Sequence, residues 1–564
     1  MKAIVRLSLR VEKVRRLKSV KMVRLASGIA DSLPLSGVRV LDMSRVLAAP
    51  YCTQLLGDMG AEIIKIEHPK TGDETRSWGP PFTEKGKESA YFLSCNRNKK
   101  SLALDIKSEA GKKVIYDLSK QCDIWVDNFM PGSLDKLNLG YEDISNDNIN
   151  PDIIYCSITA FGNEGPYVHY GGYDVIVQAI GGLMDITGEA DGSPCKTGVA
   201  LIDVITGLYA HGAILAALRS RDNARAAQVQ VRAQQEQNNN NNNKQLRQRN
   251  GMKIDINLLD CEIASLVNIA SNYLIGKTVS KRYGTAHASI VPYQIFPTKN
   301  QNQYLCVAAT NDASFATLCE IMDLQDTLLT QHKFQTNQLR VQHREELLRI
   351  LTQCFQQRTL AEWLDRFSHF NIPHGPIQNV QQILDSEHVQ SRDFQLVQSV
   401  EHSSAGKVSL LTNPVQYTPK GHTQRLPINQ IRLPPPVLGE HSLEVLERVL
   451  GYDTRHIQKL IQDGVVVQPN ILIFFFFCNN SSNHFRNLCL FKKFKSLCHS
   501  KKKKRGAWTP SFVEYIFFPD FEIKYKLKTK KKKSTTSKKE ICLSRKIHKK
   551  YEPQNTGEIK KQKA

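Results

Sequence analysis

The chain opens with a pattern of buried strands and an amphipathic helix. Val38, Val40 and Leu41 precede Asp42 as a short apolar run, which is typical of a buried strand. A helix is predicted over about 50–56, ending near two glycines, and residues 61–67 are predicted to form a second strand. Strand, helix and strand within about thirty residues indicate the βαβ unit of a parallel sheet.

The same alternation continues downstream. The predicted elements are strands at Ser101–Asp105, Ile124–Phe129 and Ile153–Thr159 and a helix at Glu109–Gln121. A Rossmann-like, doubly wound α/β fold is the simplest architecture with this order. The GxGxxG signature is absent from the sequence, so a dinucleotide is not the expected ligand.

The part of the chain after residue 200 contains segments of different composition. Ala200–Arg219 is rich in apolar residues and predicts a long buried helix. Residues 223–250 are rich in Gln and Asn, which bury little apolar surface, so we predict a disordered insertion. The predicted domains are a large domain formed by 34–222 and 371–467, and a smaller α+β domain formed by 251–370, which begins with a helix at Leu258–Leu274.

The net charge of +22 is concentrated in the ends of the chain. Residues 471–564 hold 25 Lys and Arg against 6 Asp and Glu, and residues 1–36 hold 9 against 2. With +4 in the insertion, the remainder carries 22 − 19 − 7 − 4 = −8. A nucleic-acid partner is therefore not expected for the folded part, because that interpretation rests only on the lysine-rich tail.

The two basic ends have different compositions. Residues 1–30 alternate Arg and Lys with Leu and Val, as in a mitochondrial presequence, although an ordinary basic tail remains the alternative. Residues 468–564 are rich in Lys and Phe and are predicted to be a disordered extension. No apolar run reaches the length of about 18 residues that a membrane span needs.

Thirteen cysteines are scattered without a CxxC pair or a cluster at metal-ligand spacing. Neither a structural metal nor a disulfide framework is expected, and free thiols fit a reducing compartment.

A set of short motifs, in a fixed order, carries a family resemblance. These motifs are Leu35–Asp42, Arg45–Pro50, Leu56–Glu67, Gly72–Arg76, Asn96–Ser101, Asn128–Gly132, Tyr173–Asp174 and Val199–Asp203. Each is unspecific alone, but together they make the stretch from Leu35 to Val467 resemble the class III CoA-transferases of the formyl-CoA transferase and CaiB/BaiF type.

The resemblance implies where coenzyme A would bind. The cofactor-binding positions that it transfers to this chain are Arg45, Val46, Leu47, Ala48, His68, Leu104, Lys107, Asn128, Phe129, Ser133, Lys136 and Tyr173. His68 stands where family members often have a phosphate-binding arginine. On composition alone, the apolar members of this set would be core residues and the lysines would be solvated surface charges.

Asp203 is the position implied for the catalytic nucleophile. It stands in the apolar run of residues 199–206, where an ionised carboxylate is costly unless it has partners or a task. The alternative is a helix N-cap, since Asp is a favoured capping residue, and both roles are compatible.

The resemblance also implies the reaction and the assembly. Asp203 would carry CoA from a donor such as succinyl-CoA to a dicarboxylic acid such as glutarate or hydroxymethylglutarate, with no metal and no cofactor besides CoA itself. The enzyme would be an interlocked homodimer, and the presequence-like residues 1–30 would direct it to the mitochondrial matrix. Residues 286–292 would cover the site, and Arg282 and His287 would be candidate cations for the acyl end.

Two alternatives remain open at this point. The family's α-methylacyl-CoA racemase branch has a histidine at the place of Tyr173, and a phenol with a pKa of about 10 is a poor base near neutral pH. The chain could instead be a catalytically silent CoA-binding protein, because the insertion and the tail could damage the fold.

Overall fold

The computed structural model describes residues 33–237, 250–421 and 423–469. Its strands are β1 (Arg39–Asp42), β2 (Glu62–Glu67), β3 (Lys99–Leu104), β4 (Ile124–Asp127), β5 (Ile154–Thr159), β6 (Met252–Asn257), β7 (Tyr293–Pro297), β8 (Tyr304–Ala308), β9 (His374–Pro376), β10 (Val397–His402), β11 (Gly406–Leu411) and β12 (Val466–Val467).

The α-helices are α1 (Ala48–Asp58), α2 (Ala90–Ser94), α3 (Glu109–Ser119), α4 (Tyr141–Ile144), α5 (Asp174–Ile180), α6 (Leu201–Gln237), α7 (Leu258–Ser265), α8 (Asn268–Gly276), α9 (Asp312–Ile321), α10 (Gln325–Leu328), α11 (Asn337–Gln342), α12 (Arg344–Phe355), α13 (Leu360–Ser368), α14 (Val380–Leu384), α15 (Glu387–Gln390), α16 (Ser442–Glu444) and α17 (Thr454–Gln462).

A seven-stranded sheet in the order β12-β3-β2-β1-β4-β5-β6 forms the large domain. The six strands from β3 to β6 in this order are parallel, and only β12 runs antiparallel, beside β3. Neighbouring residues of one strand enter different cores: Val40 packs with α1 and α6, and Leu41 packs with α3 and α17. Burial on both faces explains why the parallel strands are almost continuously apolar.

The smaller domain is built on a three-stranded antiparallel sheet, β7-β8-β9. Its core is aromatic: Phe296 and Phe355 stack at 4.5 Å between ring centroids, and Trp363 lies 4.9 Å from Phe355. The indole nitrogen of Trp363 donates to the Phe355 carbonyl at 2.8 Å, which satisfies the polar atom of this buried ring. The predicted α/β architecture, a large parallel sheet with a smaller α+β domain, is confirmed.

Several boundaries differ from the predicted ones. Residues 223–237, predicted to be disordered, continue helix α6, because Ala, Gln and Arg are good helix formers even where they bury little surface. Strand β6 belongs to the large sheet although it lies within the segment predicted as the small domain, and β9 extends the small sheet to Pro376. The helix predicted at 258–274 is two helices, α7 and α8, bent by 76° around Val267, whose φ is +44°.

Helix α6 is long and apolar enough by composition to cross a membrane over Leu201–Gln230, and the bent pair α7 and α8 also meets that test as one span. In the structure, however, Ile202, Ala210 and Ile214 of α6 are buried in the core of the large domain. The basic segment 1–30 and most of the extension 468–564 lie outside the described residues, as do residues 238–249.

Candidate active site

The carboxyl ends of β1, β2, β3 and β4 lie side by side at one edge of the large sheet. The segments that follow these strands contain nearly all of the predicted CoA-binding positions. Parallel α/β sheets receive ligands at this edge, so the topology brings together residues that are far apart in the chain.

The loop after β1, which we call the 44–47 loop, is held by the segment after β4. The Asn128 side chain accepts the Arg45 backbone N–H at 2.9 Å and donates to the Arg45 carbonyl at 2.7 Å. The Arg45 guanidinium pairs with Glu74 at 2.6 Å and lies 5.1 Å from the centroid of the Phe129 ring. Both the oxygen and the nitrogen of the Asn128 amide therefore hydrogen-bond to the backbone of this loop.

The other predicted CoA positions differ in accessibility. His68, Lys107 and Lys136 are exposed, while Ser133 and Phe129 are half-buried. The Nδ1 atom of His68 accepts the backbone N–H groups of Lys70 and Thr71, both at 3.3 Å. Leu104 lies in the hydrophobic core, so its side chain presents almost no surface to a ligand.

Asp203 is the third residue of α6 and is only 9% exposed. It is not the N-cap, so the capping interpretation is wrong. Instead Asp174, the first residue of α5, accepts the N–H groups of Ile202 at 2.7 Å and Asp203 at 3.2 Å. Asp174 therefore supplies the carboxylate that stabilises the start of α6.

The carboxylate of Asp203 has no hydrogen-bond or ion-pair partner within the described part of the chain. Burial and, second, the negative charge of Asp174 raise its pKa from 3.8 to about 7. An unpaired, buried carboxylate with a raised pKa is typical of a functional site, because structural carboxylates are normally satisfied.

A glycine allows helix α6 to cross helix α1 closely, one turn after Asp203. Gly207 lies one turn after Asp203, and a Cβ atom there would be 2.7 Å from the Ala48 carbonyl oxygen and 3.2 Å from Cδ1 of Tyr51. Because neither backbone can move away easily, only glycine permits this crossing of α1 and α6. The crossing therefore brings α6, one turn after Asp203, into close contact with the start of α1.

Tyr91 is a neighbour of Asp203 that the sequence did not indicate. Burial and then the charge of Asp203 raise the pKa of Tyr91 to about 12, so the phenol is close to this carboxylate and stays protonated. Its ring packs edge-on against Trp78, with 5.1 Å between the centroids. The sequence offers no signal for Tyr91, since a tyrosine in a short helix is an ordinary packing residue.

The remaining predicted positions are more peripheral. Tyr173 precedes α5 and is 62% exposed. Arg282 is engaged, because its Nη1 atom donates to the Asp185 carbonyl at 2.7 Å. His287 stacks on Tyr293, with 5.4 Å between ring centroids, and its Nδ1 atom accepts the Ser289 N–H at 3.0 Å. Over residues 33–237, 250–421 and 423–469, no group of three His, Cys, Asp or Glu side chains is placed to hold a metal ion.

Fold and site together define an open α/β protein whose candidate site lies at the carboxyl edge of its sheet. The chain belongs to CoA-transferase family III, which matches residues 35–237 and 243–442. The predicted family and enzyme class are thereby confirmed, and the members of this family use CoA thioesters as substrates.

Characterised relatives and a solved structure agree with this assignment. The chain is 44% identical over 445 residues to the human succinyl-CoA:glutarate CoA-transferase, covering 79% of this chain and 92% of the relative. It is 36% identical to the succinate–glutarate CoA-transferase of Agrobacterium fabrum, over 73% of this chain and 95% of the relative. A CaiB/BaiF family protein from Brucella suis shares the fold with a TM-score of 0.61 and 33% identity, over 74% of this chain and all of that one.

Proposed function

We propose that this protein transfers CoA from succinyl-CoA to a dicarboxylic acid, with glutarate as the first candidate, and that Asp203 is the nucleophile. The observation that carries the role of Asp203 is its burial without a partner among the described residues, on the helix that crosses α1 at Gly207. The names of the human and Agrobacterium relatives support the donor and acceptor.

The reaction proceeds in two symmetric halves. The Asp203 carboxylate attacks the thioester carbonyl, the C–S bond breaks, and a mixed anhydride and CoA thiolate form. The thiolate then attacks the aspartyl carbonyl and breaks the anhydride C–O bond, which releases succinate and leaves an aspartyl-CoA thioester. The acceptor carboxylate attacks this thioester and expels the thiolate, which attacks the acceptor's acyl carbon and returns Asp203 as a carboxylate.

The neighbours of Asp203 can assist these steps. Each attack converts a carbonyl oxygen into an oxyanion, which needs hydrogen-bond donors. Tyr91 is protonated at neutral pH and close to Asp203, so we assign it a hydrogen bond to the reacting acyl group. Tyr173, which replaces the racemase histidine, supports transfer over racemisation.

Coenzyme A is expected to follow the edge of the sheet. Its thioester end would meet the 44–47 loop and Ala48, while the phosphates would reach the exposed side chains of His68, Lys107 and Lys136, of which the two lysines supply positive charge. Asn128 would act by holding the loop, and Phe129 and Ser133 would line the path.

Two further proposals concern assembly and location. Helix α8 and the segment after it expose large apolar side chains, including Leu274 and Val279, and Ile275 is 85% exposed. We assign this surface to an interlocked homodimer, because apolar patches of this kind normally meet a partner. The basic composition of residues 1–30 supports import into the mitochondrial matrix.

The test is a transfer assay on the full chain with succinyl-CoA and glutarate, followed by chromatography of the acyl-CoA products. We expect glutaryl-CoA from the wild type, and a rate lower by about 10⁴-fold for Asp203→Asn, since an amide cannot act as the nucleophile. Asp222→Asn, an exposed carboxylate on the same helix, should retain the wild-type rate. A wild-type protein that binds CoA without exchanging it would instead favour the silent-binder alternative.

A further inference from the structure

The backbone of residues 44–46 is hydrogen-bonded entirely by side chains. The Ser44 N–H donates to Asp42, and the Ser44 carbonyl accepts from Lys65 at 2.6 Å. Arg45 is held at both groups by Asn128. The Val46 N–H donates to Asp73, and the Val46 carbonyl accepts the Cys95 thiol at 3.6 Å. Every backbone N–H and carbonyl group of these three residues thus has a side-chain partner.

Val46 has a backbone conformation that a valine rarely adopts. Its φ is +69°, in the left-handed region, where a β-branched side chain is strained. Such strain persists only where the surroundings enforce it, often at functional sites. A specific interaction must therefore hold Val46 in place.

Asp73 provides that interaction. Both of its carboxylate oxygens lie 3.2 Å from the Val46 nitrogen, and its side chain is buried. Burial alone would raise the pKa of Asp73, but Lys65 and the hydrogen bonds from Thr75 lower it to about 2. Asp73 therefore stays ionised as a strong acceptor for this N–H group.

Lys65 holds Asp73 in turn. The Lys65 Nζ atom lies 2.9 Å from Asp73, and both side chains are completely inaccessible to solvent. A second pair, Lys99 and Asp42, is also inaccessible, with 3.1 Å between Nζ and Oδ2. Buried ion pairs of this kind add little net stability compared with apolar residues, so their contribution here is better explained by positioning.

We propose that Asp73, anchored by Lys65, is a positioning residue that keeps Val46 in the left-handed conformation and so preorganises the 44–47 loop for the CoA thioester. This inference rests on the proposed function, in which that loop contacts CoA. Preorganisation strengthens binding because the protein has already lost the loop's freedom before the ligand arrives.

A double-mutant cycle on the full chain tests the coupling between Asp73 and Val46. The variants are Asp73→Ala, Val46→Gly and their combination, with kcat and KM measured for succinyl-CoA. Asp73→Ala should raise KM by about tenfold and change kcat less, because the loop loses the contact that enforces its conformation. Glycine adopts positive φ without strain, so in the Val46→Gly background the same substitution should raise KM less than about twofold.

Two controls separate positioning from general damage. Asp73→Asn retains one acceptor oxygen and should give an intermediate KM. Asp58→Asn breaks another buried ion pair, with Arg97, but touches no backbone group of the loop, so it should lower stability and leave KM near the wild-type value. Thermal unfolding of each variant shows whether it is folded.

The outcomes are distinguishable. An equal rise in KM from Asp73→Ala in the wild-type and Val46→Gly backgrounds would overturn the coupling, and so would a similar rise in Asp58→Asn. If the wild type does not transfer CoA, the proposed function is wrong, and the double-mutant cycle is then measured with the Kd for CoA. In that case an equal rise in Kd from Asp73→Ala in the wild-type and Val46→Gly backgrounds would contradict the inference.

Discussion

Buried carboxylates of two kinds occur in the large domain: several have a cationic partner, and Asp203 has none among the described residues. Asp42, Asp58 and Asp73 are each paired with a buried Lys or Arg, and the buried Glu67 is paired with the half-buried Arg76. Asp203, at the start of α6, is almost as buried but has no partner among the described residues. The paired carboxylates hydrogen-bond or ion-pair with neighbouring groups, and in the proposed reaction Asp203 offers its free carboxylate to the substrate.

In the proposed reaction, positioning and nucleophilic attack fall to different carboxylates. A carboxylate that only positions other groups benefits from a cation, which keeps it ionised and fixed in space. A nucleophile so paired would be less reactive, because the cation stabilises the anion that must attack. The Asp203 carboxylate therefore has no counter-ion, although its charge is unfavourable, whereas buried ion pairs hold the 44–47 loop in place.

The sharpest consequence concerns stability, where the two kinds of carboxylate should respond with opposite signs. Asp58→Asn leaves Arg97 buried without its counter-ion and should lower the free energy of unfolding by about 3–5 kcal/mol. Asp203→Asn removes a charge that folding disfavours and should raise it by as much as about 4 kcal/mol above pH 7. Denaturant unfolding at pH 8 measures both.

The pH dependence of the free energy of unfolding tests whether the charge of Asp203 destabilises the fold. Its pKa is about 7 in the folded state and near 3.8 in the unfolded chain, so the penalty is absent below pH 4 and complete above pH 7. Asp203→Asn should thus match the wild type at pH 4 and exceed it at pH 8. Equal stability of the two proteins at pH 8 would show that Asp203 has a partner after all.

The next largest effect should come from the helix crossing that joins the two regions. Gly207→Ala forces a Cβ atom against the Ala48 carbonyl and should cost about 1–3 kcal/mol of stability and raise KM for succinyl-CoA. Gly212→Ala on the same helix meets no atom within 4 Å and should be neutral or slightly stabilising. If both variants behave alike in kinetics, the crossing does not position the site.

The smallest expected effect is a shift in the pH dependence of kcat/KM. The kcat/KM value for succinyl-CoA should rise with pH through a midpoint near 7, since only the ionised Asp203 can attack. Asp174→Asn keeps an oxygen for the backbone of α6 but removes a nearby negative charge, so the midpoint should move to lower pH. Asp222→Asn should not move it; an unmoved midpoint in Asp174→Asn would mean that burial alone sets the pKa.

Much of the fold could be predicted from the sequence, because parallel strands buried on both faces leave clear apolar runs. The strand at 124–129 and the helix at 109–121 lie almost where the pattern predicts them. Strand β12 could not be predicted, since two residues carry no periodicity and it pairs with β3 from more than 360 positions away. The extension of α6 through 223–237 could not be predicted either, because its polar composition is also typical of disorder.

The site could be predicted only in part. The resemblance points to Asp203 and to the 44–47 loop, but the role of Gly207 can be recognised only once the crossing of α1 and α6 is known. In the sequence, Lys65 and Lys99 are ordinary strand lysines and Tyr91 is an ordinary packing residue. Their contacts join segments distant in sequence, so no local pattern reveals them.

The most direct test of the central claim, that Asp203 carries CoA covalently, is mass spectrometry of the full chain after incubation with succinyl-CoA and trapping with hydroxylamine. We expect a hydroxamate on Asp203 that is absent from Asp203→Ala and present in Asp58→Asn. An unmodified Asp203 in a wild-type protein that forms glutaryl-CoA, or a hydroxamate on another carboxylate, would contradict the claim.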